Sequence, residues 1–273
     1  MSIVLYTWST PNSRKILILI LIGELGLPYE VGPIDIGRDQ PFVPAFLKIS
    51  PNNKIPALVD DDAADGGSLA VFESDAIRTS LVEETGRLLA PSGATRYAAM
   101  EWFHWSIGGL GPTVGQLNFF SLRSPGTAPL ATDRFVREVD RLLGVMERRL
   151  CESDYLGGSV YSIAVIATYT STYFTSTSLH HVRADSLASK PAIYRWLKVI
   201  SGRPAVLRGM RIPAFADAAP LETIASLEQR IKLAEEECGA LRGQGQEELY
   251  LQACSLAEVL ELQLEERLHQ AVT

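Results

Sequence analysis

A proline heads the apolar strand Lys54-Ile55-Pro56-Ala57-Leu58-Val59-Asp60, directly after the turn Ser50-Pro51-Asn52-Asn53. Proline supplies no N–H to a ladder, so in a sheet it is confined to a strand's first residue, an edge or a bulge. An X-Pro bond in that position is often cis, which exposes the backbone groups beside it. The elements around this strand are short and of mixed type. Ser2-Ile3-Val4-Leu5-Tyr6 reads as a strand. Ser9-Thr10-Pro11-Asn12 reads as a helix start, with Thr10 as N-cap and Pro11 in the first helical position. That helix runs to about Gly26, where glycine can end it. Its run of alternating Ile and Leu, Ile16 to Ile22, has strand-like propensity, but a cap precedes it and it lacks period-2 polarity, so the reading is helix. Tyr29-Glu30-Val31 is a second strand and Pro41 to Ile49 a short helix. After the acidic loop Asp60 to Gly67 come a fourth strand, Leu69-Ala70-Val71-Phe72, and a helix opened by Glu73-Ser74 that reaches about Thr85. The order β-α-β, α, β-β-α describes a small α/β domain over residues 1–86.

Beyond the linker Pro91-Ser92-Gly93 the pattern is helical, at about 95–119, 130–152, 162–178 and 191–200, giving an all-α domain over residues 93–212. Gly108-Gly109-Leu110-Gly111-Pro112 sits inside the first of these helices and should bend it. Residues 213–273 are different in kind. Ile224, Leu227, Ile231, Ala234, Cys238 and Leu241 keep heptad steps, Gly243-Gln244-Gly245 breaks them, and Leu249 to Leu268 resumes a leucine-rich helix. This extra helical tail reads as an αα-hairpin, a short coiled coil, or a helix pair folded back on its own body.

The net charge of −7 is carried wholly by the tail. Residues 221–273 hold 11 Glu against four Lys or Arg, while residues 1–220 balance 21 acids with 21 bases. No basic surplus exists to meet phosphates, so nucleic acid is not expected as a partner, and the tail's own partner is not legible. The cysteines, Cys151, Cys238 and Cys254, form no CxxC and read as thiols of a cytoplasmic protein rather than a disulfide framework. The aliphatic run at Ile16 to Ile22 is far short of a bilayer span, so no membrane segment is expected. No metal site is expected either. His180 and His181 are adjacent and point about 100° apart on a helix, and Asp60-Asp61-Asp62 with Asp65 lacks calcium-loop spacing.

The wording of several segments is more specific than their periodicity. Leu5-Tyr6-Thr7, Thr10-Pro11-Asn12, Glu24-Leu25-Gly26-Leu27-Pro28-Tyr29-Glu30, the stretch Phe46 to Ala57, Phe72-Glu73-Ser74, Gly108 to Pro112 with Gly115-Gln116, and Arg203-Pro204-Ala205-Val206 resemble the nu-class glutathione transferases. These are the glutathione-dependent disulfide-bond oxidoreductases, related to a fungal nitrogen-regulator protein of the same fold. The resemblance spans about residues 3–212. It implies a glutathione transferase fold: an α/β thioredoxin-like amino-terminal domain that binds glutathione, followed by an all-α carboxy-terminal domain. It also implies a homodimer, and a thiolate of glutathione activated to reduce a small disulfide or attack an electrophilic co-substrate.

The same resemblance implies site residues. Thr10 and Asn12 would hold the glutathione sulfur as an anion; taken alone, Thr10-Pro11-Asn12 is a plain N-cap. Tyr6 and Ser9 are competing hydroxyls, Tyr6 reading as a packed strand residue and Ser9 as the reserve. Glu73 and Ser74 would take the γ-glutamyl end, Ile55 the cysteinyl part through its backbone, and Lys54 the glycyl carboxylate. Gln40 matches a polar contact from the preceding loop. Arg134 matches an arginine that in many members reaches glutathione across the dimer interface. Trp102, Trp105, Asn118, Phe119 and Phe120 read either as core or as the wall of an apolar co-substrate pocket.

The chain departs from the pattern at several positions. Ser13 and Asp75 stand where glycine is usual, and Arg78, Thr79 and Ser80 where apolar residues are usual, which should thin that helix's packing face. Ser162-Ile163-Ala164-Val165 lacks the carboxylate that completes a capping box. These departures keep a second reading open, a non-catalytic binding or regulatory protein acting through dimerisation and the acidic tail.

Overall fold

A computed structural model describes residues 2–8, 17–63, 66–179 and 189–210, together with 231, 232, 235 and 236 of the tail. Ser9, Thr10, Asn12, Ser13, His180, His181 and nearly all of the tail lie outside the described residues. The chain divides into two compact units, one holding Met1–Tyr97 and the helix Pro204–Gly209, the other holding Ala98–Arg203.

The first unit is built on a four-stranded mixed sheet of order β2-β1-β3-β4, from β1 (Ile3–Thr7), β2 (Tyr29–Pro33), β3 (Ala57–Asp60) and β4 (Leu69–Phe72). β1 runs parallel to β2, with Leu5 opposite Val31, and antiparallel to β3, with Leu5 opposite Leu58; β3 and β4 are antiparallel. The third strand begins directly after Pro56, three residues later than Lys54, because proline has no N–H for the ladder. Alternation along β1 buries Ile3, Leu5 and Thr7 and leaves Val4 and Tyr6 half-buried. The Tyr6 ring lies against Gly32, where a Cβ would come within 2.7 Å of it, and meets Phe46 edge-on at 6.0 Å. Tyr6 is thus a packing residue of the sheet.

Helix α1 (Leu17–Leu25) buries Leu17, Ile18, Leu19, Ile20, Leu21, Ile22 and Leu25. A helix that is apolar all round must be covered all round, and α1 packs against both α3 (Ser74–Thr85) and α9 (Pro204–Gly209). Gly26, at φ +69°, ends it as the sequence requires. The helix expected over residues 41–49 is instead a 3-10 turn, Gln40–Phe42, and the short helix α2 (Pro44–Leu47). Val43 between them is extended because the following proline disfavours a helical residue before it.

The second unit is helical. Helix α4 (Gly93–Trp105) starts in the first unit, continues as a π-helical stretch over Ser106–Leu110, and leads to α5 (Gly111–Asn118) and a second π-helical stretch, Phe119–Arg123. Where the sequence leads one to expect a bend, at Gly108–Pro112, the structure has a widened, π-helical turn. Helix α6 (Pro129–Glu152) buries Val139, Leu142, Leu143, Met146 and Leu150 at three- and four-residue steps. Helix α7 (Ile163–Ser178) is largely buried although ten of its 16 residues are serine, threonine or tyrosine. Its hydroxyls are largely met by its own backbone: Thr168, Thr172, Thr175 and Ser176 donate to the carbonyls four residues earlier at 2.7–3.0 Å. The start of α8 (Pro191–Ser201) is capped from α6, where the Glu147 carboxylate accepts from the Ala192 and Ile193 amides at 2.9 and 2.8 Å. Ser162, at the head of α7, makes no side-chain cap bond.

The contact between α1 and α9 is close enough to test. A Cβ at Gly209 would stand 2.7 Å from Ile20 Cγ1 and 3.0 Å from the Ile20 amide nitrogen. Gly209→Ala should therefore force the two helices apart and cost about 1–3 kcal/mol. The expected readout is a lower urea midpoint with an unchanged slope; an unshifted midpoint contradicts the packing.

Candidate functional site

The sequence-derived site residues of the first unit cluster on three connections around the sheet. The first is the turn before β3. Ser50 is buried, and its hydroxyl donates to the Lys54 carbonyl at 2.8 Å. Asn53, which tolerates positive φ, sits at +48° and donates its amide to the Ser50 carbonyl at 3.0 Å. This frame leaves the Lys54 side chain exposed and holds Ile55 half-buried against the cluster of Ile34, Phe46 and Ala57. The Ile55–Pro56 bond is cis.

The second connection joins β4 to α3. Glu73 lies between them at φ +70°, ψ +124°, a conformation close to glycine's own territory. Holding a glutamate there costs about 1–3 kcal/mol, and such strain concentrates at functional positions. The exposed Glu73 carboxylate accepts from the Asn52 side-chain amide at 3.1 Å, which ties this connection to the first. Ser74 opens α3, and its hydroxyl donates to Asp75 Oδ1 at 3.0 Å. Arg78, one turn later, is 2% exposed. Its Nε donates to the Ser74 carbonyl at 3.0 Å and its Nη2 to Asp75 Oδ1 at 2.5 Å. Burial pushes the Arg78 guanidinium below its ordinary value, and the Asp75 carboxylate pushes back. The expectation that Arg78 thins the packing face of this helix is corrected: the side chain is folded inward and buried, with Nε and Nη2 held by the first turn.

The third connection follows β2. Gln40 is exposed, and its Oε1 accepts from the Asp35 amide at 2.7 Å, closing the loop on itself. Asp35 in turn accepts from the Gly37 amide at 2.8 Å and pairs with Arg38 at 3.3 Å. The carbonyl side of Gln40 is therefore used within its own loop.

The structure thus brings Lys54, Ile55, Glu73 and Ser74 onto two linked connections of one unit. Arg134 is exposed on α6, in the other unit. Also in that unit, Trp102 and Trp105 are half-buried and meet edge-on at 5.2 Å, Asn118 is buried, Phe119 is half exposed, and Phe120 stacks on Phe135 at 5.8 Å. Sequence reasoning missed Asn52 as the link to Glu73, and it missed the inward course of Arg78. The spacing from Ser74 to Arg78, one helical turn, was the available signal for the second. Asn52 carried none beyond its place in a turn. No group of three or more metal-ligating side chains occurs among the described residues, and no helix among them is long and apolar enough to cross a membrane.

Comparison with known proteins places relatives on this framework. The sequence profile of the glutathione S-transferase N-terminal domain matches residues 1–81. The disulfide-bond oxidoreductase YfcG of Escherichia coli K12 is 43% identical over 202 residues, covering 74% of this chain and 91% of that protein. YghU of the same organism, also named a disulfide-bond oxidoreductase, is 33% identical over 213 residues, 75% of this chain and 73% of that one. Among solved structures, a glutathione transferase from Burkholderia graminis with two glutathione molecules bound per subunit superposes with a TM-score of 0.71 at 37% identity, over 78% of this chain and 89% of that one.

The backbone at Glu73 generates a test independent of ligand. Glycine adopts a φ of +70° without a Cβ penalty. Glu73→Gly should therefore raise the thermal midpoint by about 2–4 °C, the equivalent of about 1 kcal/mol, even though it deletes the bond to Asn52. A lowered midpoint in a calorimetric scan contradicts the strain assigned here.

Proposed function

The chain belongs to the glutathione S-transferase family, and from that premise we propose that it binds glutathione on its amino-terminal unit and uses the tripeptide's thiolate to reduce small disulfides, with conjugation to electrophiles as a second activity. The observation that carries this reading is the bond between Asn52 and Glu73, which couples the Lys54-Ile55 turn to the Glu73-Ser74 helix start and so links the two connections assigned to opposite ends of one extended ligand.

The thiolate is the nucleophile in both reactions. A cysteinyl thiol titrates near about 8.5, so working at neutral pH calls for roughly a two-unit depression. Two hydrogen bonds to the charged sulfur, at about 1.5–3 kcal/mol each, are sufficient. We assign them to the Thr10 hydroxyl and the Asn12 carboxamide. Ser74 and the first amides of α3 take the γ-glutamyl carboxylate, and Glu73 takes the γ-glutamyl ammonium. Ile55 offers backbone groups to the cysteinyl residue and Lys54 a cation to the glycyl carboxylate. Gln40 adds a polar contact through its amide nitrogen, its oxygen being engaged by Asp35. Arg134 reaches glutathione from the partner subunit of a homodimer.

No cysteine precedes Cys151, so the reducing sulfur is that of glutathione. Its thiolate attacks one sulfur of the substrate disulfide. A new sulfur–sulfur bond joins glutathione to that half, the old bond breaks, and the other half leaves as a thiolate that takes up a proton. A second glutathione thiolate attacks the glutathione sulfur of the mixed disulfide, releasing the second substrate thiol and oxidised glutathione. Two glutathione molecules thus supply the two electrons that the substrate accepts. The sparse cysteines agree with a reducing, cytoplasmic setting.

Turnover of hydroxyethyl disulfide by glutathione tests the assignment. Thr10→Ala combined with Asn12→Ala should lower the rate at least tenfold, while the protein stays folded, with a thermal midpoint lowered by no more than the loss of a helix cap. An unchanged rate overturns the two assignments. Retention on immobilised glutathione without any turnover favours the binding-protein reading instead, which the occupied hydroxyl of Ser74 supports.

A further inference from the structure

The first turn of α3 carries a pair of opposite charges for which the glutathione reading has no use. A guanidinium is expensive to bury unless its donors are met, and Arg78, at 2% exposure, places Nε on the Ser74 carbonyl and Nη2 on Asp75, while Nη1 is buried without a hydrogen-bond partner. Its Nη2 also lies 3.5 Å from Ser74 Oγ. One carboxylate oxygen, Asp75 Oδ1, therefore receives both the guanidinium at 2.5 Å and the Ser74 hydroxyl at 3.0 Å. A serine hydroxyl has one proton. Given to Asp75, it is withheld from any second acceptor, and the oxygen's lone pairs are left facing donors. Asp75 could release the hydroxyl by turning away, but the buried guanidinium anchors it. The pair is neutral overall, so its effect on a ligand comes from the direction of the hydroxyl rather than from net charge.

We propose that Asp75, anchored by Arg78, is a positioning residue that keeps the Ser74 hydroxyl occupied, so that the γ-glutamyl subsite discriminates against a free carboxylate and accepts a ligand end that donates a hydrogen bond, such as a carboxamide. This rests on the glutathione reading above. Glutathione still binds but at a cost in affinity, and a γ-glutamyl thiol whose α-carboxylate is neutralised as an amide binds without that cost. Binding of an ordinary γ-glutamyl carboxylate must first break the bond between Ser74 and Asp75.

The test is a double-mutant cycle read by calorimetric titration with reduced glutathione and with glutathione amidated at its γ-glutamyl α-carboxylate. The proteins are the full chain and its Ser74→Ala, Asp75→Ala and Ser74→Ala/Asp75→Ala variants. Asp75→Ala should tighten glutathione about tenfold, seen also as a lower KM for glutathione, and should not tighten the amide. Ser74→Ala should weaken glutathione at least fivefold more once Asp75 is gone than it does in the natural background. If Ser74→Ala costs the same in both backgrounds while the natural chain binds glutathione, Asp75 is merely structural; the inference falls and the glutathione reading stands. If the natural chain gives no heat with either ligand, both fall. Should Asp75→Ala fail to fold with Arg78 left uncompensated, Asp75→Ala/Arg78→Met removes both charges and serves the same cycle, with the same outcomes deciding.

Discussion

Helix α1 presents aliphatic side chains in every direction, from Leu17 to Ile22 without a break, and the arrangement of the first unit answers to that fact. Such a helix has no polar face to give to water, so it needs neighbours on all sides. One is α3, which follows the sheet directly. Another, α9, arrives only after the whole helical region has been threaded, and it fits because Gly209 and Ala205 let it approach closely: a Cβ at Gly23 would stand 3.2 Å from Ala205 Cβ. Small residues at that crossing exchange side-chain volume for backbone proximity, and the dispersion gained over the contact is what holds the distant segment in place.

The sheet places the site by the same economy. With β1 paired to β2 on one side and β3 on the other, the connections that leave β2, enter β3 and leave β4 are brought round a common frame. Each is stiffened by a different local device: Gln40 closing its loop onto Asp35, Ser50 fixing the Lys54 carbonyl, and Asn52 bracing Glu73. Connections held by their own hydrogen bonds, two of them tied together by Asn52, reduce the ordering that a flexible tripeptide ligand would otherwise impose on the protein.

Most of the architecture was legible because it rests on patterns of short range. The proline at the head of β3, the glycine after α1 and the aliphatic steps of α6 each declare their element locally. What escaped depends on neighbours far along the chain or on conformations the residue type disfavours. Helix α9 is six residues long, too short for a periodic signal, and exists because α1 needs cover. The split of residues 40–47 was readable from Pro44 and was missed by treating the segment as one helix. A positive φ at Glu73 runs against glutamate's preference and is imposed by its surroundings. Arg78 looked like a polar intrusion into an apolar face; only the geometry of the first turn shows that its charge is consumed where it starts. The residues assigned to the sulfur, Thr10 and Asn12, were reached through the resemblance and lie outside the described part of the chain.

The late arrival of α9 has a bearing on biogenesis. Translation is vectorial, so the nascent amino-terminal segment emerges with an oily flank of α1 unshielded until the codons beyond residue 203 have been read. During that interval it is a natural client for a holdase, and a ribosome stalled within the helical region would leave behind a fragment prone to aggregation rather than a working half-enzyme.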